Sequence, residues 1–415
     1  MTEGPPIVWA DGALSSALDD LRRIPGGSET LERLGNDYLA AAFLKTYGFD
    51  AKEALKPLGE TAEWRQTSGS LAARRRFTAE PDLLLRHWPH GGAVASHMPL
   101  CEGGRAVDKR GIPYAIRCMG MADISGLFEA VTEEQLMELQ IFVTEWRLMK
   151  LEEHALRTGE LTGITIIQDM LSPEGLLMMW RKHGRKTGVM RSVTSMVDKH
   201  YPTVMGTVLL VNAPWALHAI LQVVRQILPP RLISRIHVVP VEETPERLLQ
   251  IIDPGNLPRF LGGDGEDKDF IPNRATFTAS KGSEVDIPAG SKVERGIWLN
   301  QGSIAAYGFS VASGLDICFS CRFEVENSEA LKVRAPERIQ QDSGGSFEAP
   351  QRGRLVLVFD NTYSWVNPKN IAYELAQLLS DADLPQEEVG DGNAHEKDAP
   401  VAPADTTAES PNSGI

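Results

Sequence analysis

Cys318-Phe-Ser-Cys321 is the arrangement most suggestive of chemistry, because two thiols three residues apart can hold a metal or exchange a disulfide. The surrounding residues argue otherwise. Leu315, Ile317, Phe319, Cys321, Phe323 and Val325 alternate with Asp316, Cys318, Ser320, Arg322 and Glu324, and a period of two describes a half-buried strand. On a strand the two sulfurs point to opposite faces, and neither a second CxxC nor an activating helix start accompanies them. Asp264, Glu266, Asp267 and Asp269 have the acid density of a calcium loop, but the twelfth position is Ala275 and the central glycine is missing. A solvated joint is the plainer reading. His87, His90 and His97 lie close together in Pro- and Gly-rich sequence without a cysteine or carboxylate pattern, which reads as a surface loop rather than a metal site. Arg181, Lys182, Arg185 and Lys186 form two i,i+4 pairs that could meet anionic headgroups at about 1 kcal/mol each, or simply face water. Arg74-Arg75-Arg76 is a second basic group. The chain has no Gly-x-Ser-x-Gly elbow, no phosphate-binding Gly-x-x-x-x-Gly-Lys-Ser/Thr loop and no His-Glu-x-x-His. The reading is a protein without catalytic residues, cofactor or metal.

The elements that would position these groups fall into three regimes. In the first, Asp50 caps a helix with Glu53 three residues on, and Leu55, Leu58 and Ala62 continue at helical spacing to Trp64. Residues 67–104 read as a long connection. Thr132 and Gln135 then form a capping box before the apolar stripe Leu136, Leu139, Val143 and Trp146. In the second regime, β-rich runs at 113–118, 163–168, 207–211 and 236–241 alternate with helical stretches, including 174–199 and 216–228. That alternation predicts βαβ units and an α/β fold with a mixed, largely parallel sheet. From Pro272 onward, runs at 283–287, 297–301, 307–311, 315–325 and 354–359 predict an all-β antiparallel sandwich. The expected divisions are a helical region at 1–95, an α/β domain at 96–263, a linker at 264–271, a sandwich at 272–380 and a disordered acidic tail at 381–415.

The chain has 415 residues, with 42 Lys+Arg against 56 Asp+Glu and a net charge of −14. Nine acids and one lysine lie from Asp381 onward, so most of that charge belongs to the tail and the folded part is only mildly acidic. Bulk binding to nucleic acid is therefore not expected, whereas docking on a membrane remains open. Four cysteines in this length argue for a reducing compartment, the start lacks a secretory pattern, and the most apolar window is broken by Asn212, Pro214, His218 and Arg225. The expectation is a cytoplasmic protein that associates peripherally with membranes.

Residues 215–228 read as an amphipathic helix, with Leu217, Ile220, Leu221, Val224, Ile227 and Leu228 on one side. It could pack on the sheet as an ordinary crossover, or act as a lid over an apolar cavity. Phe43-Leu-Lys-Thr-Tyr-Gly-Phe-Asp50, Asp108-Lys-Arg-Gly-Ile-Pro113, Tyr201-Pro-Thr-Val-Met-Gly206, Val211-Asn-Ala-Pro-Trp215, Ile227-Leu-Pro-Pro230, Ser234-Arg-Ile-His237 and Asn256-Leu-Pro258 with Gly262-Gly263 resemble, in order and spacing, the CRAL-TRIO lipid-transfer family over roughly residues 30–263. The last third, with Leu355-Val-Leu-Val-Phe-Asp-Asn-Thr-Tyr-Ser-Trp365, resembles a GOLD domain. The pairing is similar to the supernatant-protein-factor and tocopherol-associated group and to Golgi-linked phosphatidylinositol-transfer relatives.

The resemblance implies a single lipid-like ligand held in an apolar cage and released at a membrane by a gate helix, here 216–228, without a covalent step. It places ligand contacts at Leu217, Ile220, Val224 and Leu228, with Thr165 and Arg235 as polar anchors and the basic residues 181–186 at the membrane. The family's phosphatidylinositol-contact positions fall on Tyr47, Thr203, Leu232 and Arg235, of which only the last keeps a cation. That departure implies a more apolar ligand, or a headgroup read differently. The alternative is a non-enzymatic adaptor in Golgi or endosomal trafficking that recruits a protein partner through the GOLD-like sandwich.

Overall fold

The structure is a computed structural model that describes residues 6–80, 88–172, 187–213, 217, 221, 230–272, 274, 283–312, 315–326, 328–340 and 343–379. The chain begins with helices α1 (Gly12–Arg23), α2 (Gly27–Leu34), α3 (Asp37–Thr46) and α4 (Ala51–Thr67). Asp50 caps α4 as the sequence predicts, its carboxylate accepting from the Lys52 and Glu53 amides at 2.8 and 3.2 Å. The stretch read as a long connection is instead structured. It holds α5 (Ser70–Ala79), α6 (Gly91–His97) and strand β1 (Leu100–Val107). Ala73 and Phe77 of α5 are buried, and the Phe77 ring packs at 5.4 Å from both Trp88 and Phe142. Sparse aromatic anchors, rather than a continuous apolar stripe, hold this segment. They also absorb the arginine run: Arg74 pairs with Glu152 and Arg76 lies 5.9 Å over the Phe142 ring.

The α/β part follows with β2 (Pro113–Arg117), α7 (Ile124–Ala130), α8 (Glu133–Thr158), β3 (Ile164–Asp169), a helix at Thr187–His200, β4 (Met205–Ala213) and β5 (Ile236–Pro240). Helix α8 opens on the predicted capping box, in which Gln135 N–H donates to Thr132 Oγ1 and Thr132 N–H donates to Gln135 Oε1. The strands form one sheet in the order β1-β2-β3-β4-β5, with β1 antiparallel to β2 and the other pairs parallel. The predicted mixed, largely parallel sheet is therefore observed.

Residues 264–271, read as a polar flexible joint, are packed. Asp264 N–H donates to Pro254 O at 2.8 Å, Gly265 N–H to Leu257 O at 2.9 Å, and Phe260 N–H to the Asp267 carboxylate at 3.1 Å. Phe270 and Ile271 then bury themselves in the core against the sheet. Glu266 also pairs with Arg259 at 2.7 Å, so acid density alone does not make a loop mobile.

Eight antiparallel strands complete the chain: β6 (Ser283–Ile287), β7 (Lys292–Leu299), β8 (Ile304–Val311), β9 (Ile317–Glu324), β10 (Leu331–Ile339), β11 (Ser343–Glu348), β12 (Gly353–Asp360) and β13 (Lys369–Leu379). They make two four-stranded sheets, β10-β9-β12-β7 and β11-β8-β13-β6, whose inner faces share one core. Phe309, Phe319 and Phe359 sit at its centre with ring centroids 4.5–5.4 Å apart. Cys321 points into this core while Cys318 points out, so the CxxC sulfurs lie on opposite faces as the alternation requires. On the outer face of the second sheet, Ile304, Ala306 and Ala376 join the apolar cluster of the helical and α/β regions. The tail 381–415 lies outside the described residues.

Candidate functional site

The pleat of the parallel strands gives the sheet two apolar faces with different covers. Ala115, Ile166, Val208 and Ile236 are cross-strand partners in one row from β2 to β5, and Leu210 pairs with Val238 beside them. This face shares a cluster with Leu148, Leu151 and Ala155 of α8, Val197, Leu217, Leu221 and Leu232. Tyr114, Ile116, Ile167, Leu209 and Val211 face the other way, onto Leu248, Ile252, Leu257, Leu261 and Phe270.

Leu217 and Leu221, helical and buried, are therefore on the first face, where the sequence reading places the ligand wall. Ile220, Val224 and Leu228 lie outside the described residues, as do Arg181, Lys182, Arg185 and Lys186. Thr165 is buried, but it lies between Ile164 and Ile166, which both belong to the first face. By strand alternation its side chain is on the Ile167 side, so it cannot anchor a ligand under Leu217. Strand alternation thus separates Thr165 from the face that carries Leu217 and Leu221.

At the N-terminal edge of the parallel strands the first face meets a polar corner. Arg235 is half-buried and donates from Nη1 to Met205 O at 2.7 Å; burial opposes its charge, while the nearby Asp198 carboxylate favours it. The fully buried Tyr38 donates its hydroxyl to Thr162 O, and burial raises its pKa well above the ordinary phenol value. Thr203 lies next to Tyr38 with φ +68° and its Oγ1 buried. The backbone comes so close here that a Cβ at Gly163 would stand 2.3 Å from Thr203 O and 2.5 Å from the Gly206 backbone. Tyr47 carries the Arg231 guanidinium 5.4 Å over its ring, and Leu232 is buried one residue further on. The structure thus gathers Tyr47, Thr203, Leu232 and Arg235 around one corner. It adds Tyr38, Asp198 and Arg231, which the sequence reading missed because they sit in separate helices with no local motif.

A second polar network closes the opposite, C-terminal edge. Asp169 is fully buried and accepts from Asn212 Nδ2 at 2.9 Å and from the Leu171 amide at 3.2 Å, with Arg274 Nη2 at 3.5 Å. Burial raises the Asp169 pKa despite these partners. Asn212 adopts φ +49°, and its N–H donates to Thr244 Oγ1 at 2.9 Å. Asn212 thus sits at the break in register near the end of β4, between the pairs Leu210–Val238 and Ala213–Pro240.

Among the described residues no three His, Cys, Asp or Glu side chains are grouped to hold a metal. His90 pairs with Glu138 at 3.1 Å and His97 with Asp123 at 3.3 Å, on separate helices, while His87 lies outside the described residues. Also among the described residues, no helix is long and apolar enough to cross a membrane.

Residues 100–263 match the family profile of the CRAL/TRIO domain, the stretch that runs from β1 to the turn after Leu261. This span is a CRAL/TRIO domain. The chain is 27 % identical to Protein real-time of Drosophila pseudoobscura pseudoobscura over 60 % of its own length and 35 % of that protein. It is 25 % identical to the phosphatidylinositol/phosphatidylcholine transfer protein SFH12 of Arabidopsis thaliana, over 60 % of its length and 43 % of that protein. It thus spans well under half of these two relatives. Patellin-6 of Arabidopsis thaliana is 24 % identical over 79 % of this chain and 76 % of that protein, a match too long to end before the sandwich. The two-faced sheet described above is accordingly the sheet of the CRAL/TRIO domain, and Phe270 and Ile271, just beyond the matched span, complete the cover of its second face.

Proposed function

We propose that the protein binds one hydrophobic, lipid-like molecule on the first face of the CRAL/TRIO sheet and transfers or presents it between membranes. The observation that carries this reading is the row Ala115–Ile166–Val208–Ile236, an apolar floor beneath Leu217 and Leu221 with polar groups confined to its edge. A flat apolar floor with a polar corner suits a molecule with a long apolar body and one polar end. The similarity to SFH12, a phosphatidylinositol/phosphatidylcholine transfer protein, supports the same class of cargo. In this reading Leu217, Ile220, Val224 and Leu228 form the movable wall, and Arg235 with Arg231 receives the polar end. Arg181, Lys182, Arg185 and Lys186 meet the membrane. Opening the wall against a bilayer would let the ligand leave without crossing water. No bond is made or broken. The GOLD-like assignment of the sandwich and a Golgi or endosomal address belong to the same proposal.

The test is direct. The full chain is purified from a lipid-rich lysate, extracted in solvent and analysed by mass spectrometry, then challenged with labelled lipid in liposomes. A stoichiometric co-purifying lipid and saturable uptake are expected, with uptake lost in the Leu217→Asp/Ile220→Asp variant. Absence of both in the wild type refutes the reading. An adaptor acting through the sandwich would keep its partners in that variant.

A further inference from the structure

The loop between β12 and β13 exposes two large apolar side chains on a fixed support. Trp365 is 95 % exposed and Val366 80 % exposed. The loop is not loose. Fully buried Asn361 reaches the carbonyls of Ile287, Pro288 and Asn367 through its Nδ2 at 3.0–3.2 Å, and its N–H donates to Ser291 O at 2.9 Å. Ser364 Oγ donates to Asn367 O and accepts from Asn367 N–H. Thr362 donates from both N–H and Oγ1 to the Asp360 carboxylate. A loop held this firmly cannot fold its tip back to shelter an indole, so the apolar exposure is built in.

Directly beside the tip is an open cavity of about 650 Å³ whose walls include Asp316, Arg338, Gln340, Tyr363, Asn367 and Lys369. Lys369 is 94 % buried and donates from Nζ to Asp316 Oδ1 at 3.1 Å. Arg338 also pairs with Asp316, stacks 4.2 Å over the Tyr363 ring and remains largely exposed. Two cations thus share one carboxylate, which leaves the cavity one positive charge in excess at its exposed arginine.

We propose that this end of the sandwich docks on a phospholipid surface, with Trp365 and Val366 entering the interfacial layer and a lipid phosphate meeting Arg338 above Lys369. Three properties of this end of the sandwich favour a membrane over other occupants. An indole with an apolar body and one N–H suits the headgroup boundary. The preset loop loses little conformational freedom when it inserts. An exposed guanidinium next to the tip lies at the depth of the phosphates and can bind one by two N–H groups. The inference does not depend on the ligand-carrying role proposed for the sheet, since the loop would dock whether or not the CRAL/TRIO domain is loaded.

The experiment uses the full chain in sedimentation with sucrose-loaded vesicles of phosphatidylcholine alone and of phosphatidylcholine with phosphatidylserine. Binding to the mixed vesicles is expected, with the partition coefficient falling about tenfold in Trp365→Ala and further in Trp365→Ala/Val366→Ser. Arg338→Gln should reduce the preference for phosphatidylserine. Thermal unfolding of the Trp365 variants should match the wild type, because the side chain is in water. Vesicle binding should persist in Leu217→Asp/Ile220→Asp, which separates this inference from the ligand test. Wild-type protein that ignores both vesicles, or variants that bind as well as wild type, would overturn it. So would a wild-type dimer that Trp365→Ala converts to monomer with vesicle binding unchanged, since a second copy would then own the tip.

Discussion

Replacing Glu145 by alanine should produce the largest single loss of stability in the CRAL/TRIO region and its helical cover. Glu145 is fully buried and Arg65 is 3 % exposed; they pair through two contacts, Nη1 to Oε1 at 2.5 Å and Nη2 to Oε2 at 3.2 Å. Tyr201 donates its hydroxyl to the same Oε1 at 2.6 Å. Removing the carboxylate leaves a buried guanidinium without its counter-charge and a buried phenol without its acceptor. Breaking a buried ion pair from one side costs about 3–5 kcal/mol, and the lost tyrosine acceptor adds about 1 kcal/mol. Glu145→Gln keeps an acceptor oxygen, so about half that loss is expected. The double change Arg65→Met/Glu145→Leu removes both charges together and should return to within about 2 kcal/mol of wild type. Urea unfolding followed by tryptophan fluorescence reads all four proteins, with Trp64, on the same helix as Arg65, as a nearby reporter. A Glu145→Ala loss below about 1 kcal/mol, or a double variant no better than the single one, would refute the reasoning that desolvation dominates here.

Two further outcomes follow from local geometry. His200 stacks on Trp64 at 4.1 Å, hydrogen-bonds Thr61 through Nδ1, and is held neutral by burial, with a pKa pushed down to about 4. The unfolded chain binds this proton near pH 6.5 and the folded chain refuses it until about pH 4, so stability should fall as pH drops through that window. A melting-temperature series against pH should show the slope, and His200→Gln should flatten it. Gly163→Ala drives a methyl group into the Thr203 carbonyl and the Gly206 backbone, so it should cost more than about 2 kcal/mol and disturb the corner that holds Arg235, measurable as both a lower melting point and weaker ligand retention.

How much was readable in advance depended on where the physics was local. The Asp50 cap and the Thr132/Gln135 box were visible because each needs only neighbours within one helical turn. The four parallel strands were visible because a doubly covered strand is a run of apolar residues. Strand β1 was missed because Leu-Cys-Glu-Gly-Gly-Arg-Ala-Val carries no alternation; it is held by antiparallel pairing with β2, the strand that directly follows it. Strand β10 was missed for a related reason, since most of its side chains face water and only Ile339 is buried. At the candidate site, the apolar strands and the burial of Leu217 were legible from hydrophobicity. The face taken by Thr165 was not, because a strand puts neighbouring residues on opposite sides and the sequence alone does not say which side Leu217 covers. Tyr38, Asp198 and Arg231 converge from separate helices, which only the folded chain can show.

Strands β2, β3, β4 and β5 lie side by side in chain order and run the same way, so all their connections are crossovers, and the described ones lie over one face of the sheet. Each crossover above the floor is therefore tethered at both ends to adjacent strands, leaving one at its C-terminal end and entering the next at its N-terminal end, about a strand length (~17–20 Å) away across the sheet. A cover leashed in this way stays tied to the same two strands. It can lengthen or shorten between its anchors without altering the strand pairing below. The topology thus separates the segments whose length can vary from the part of the molecule that keeps it folded.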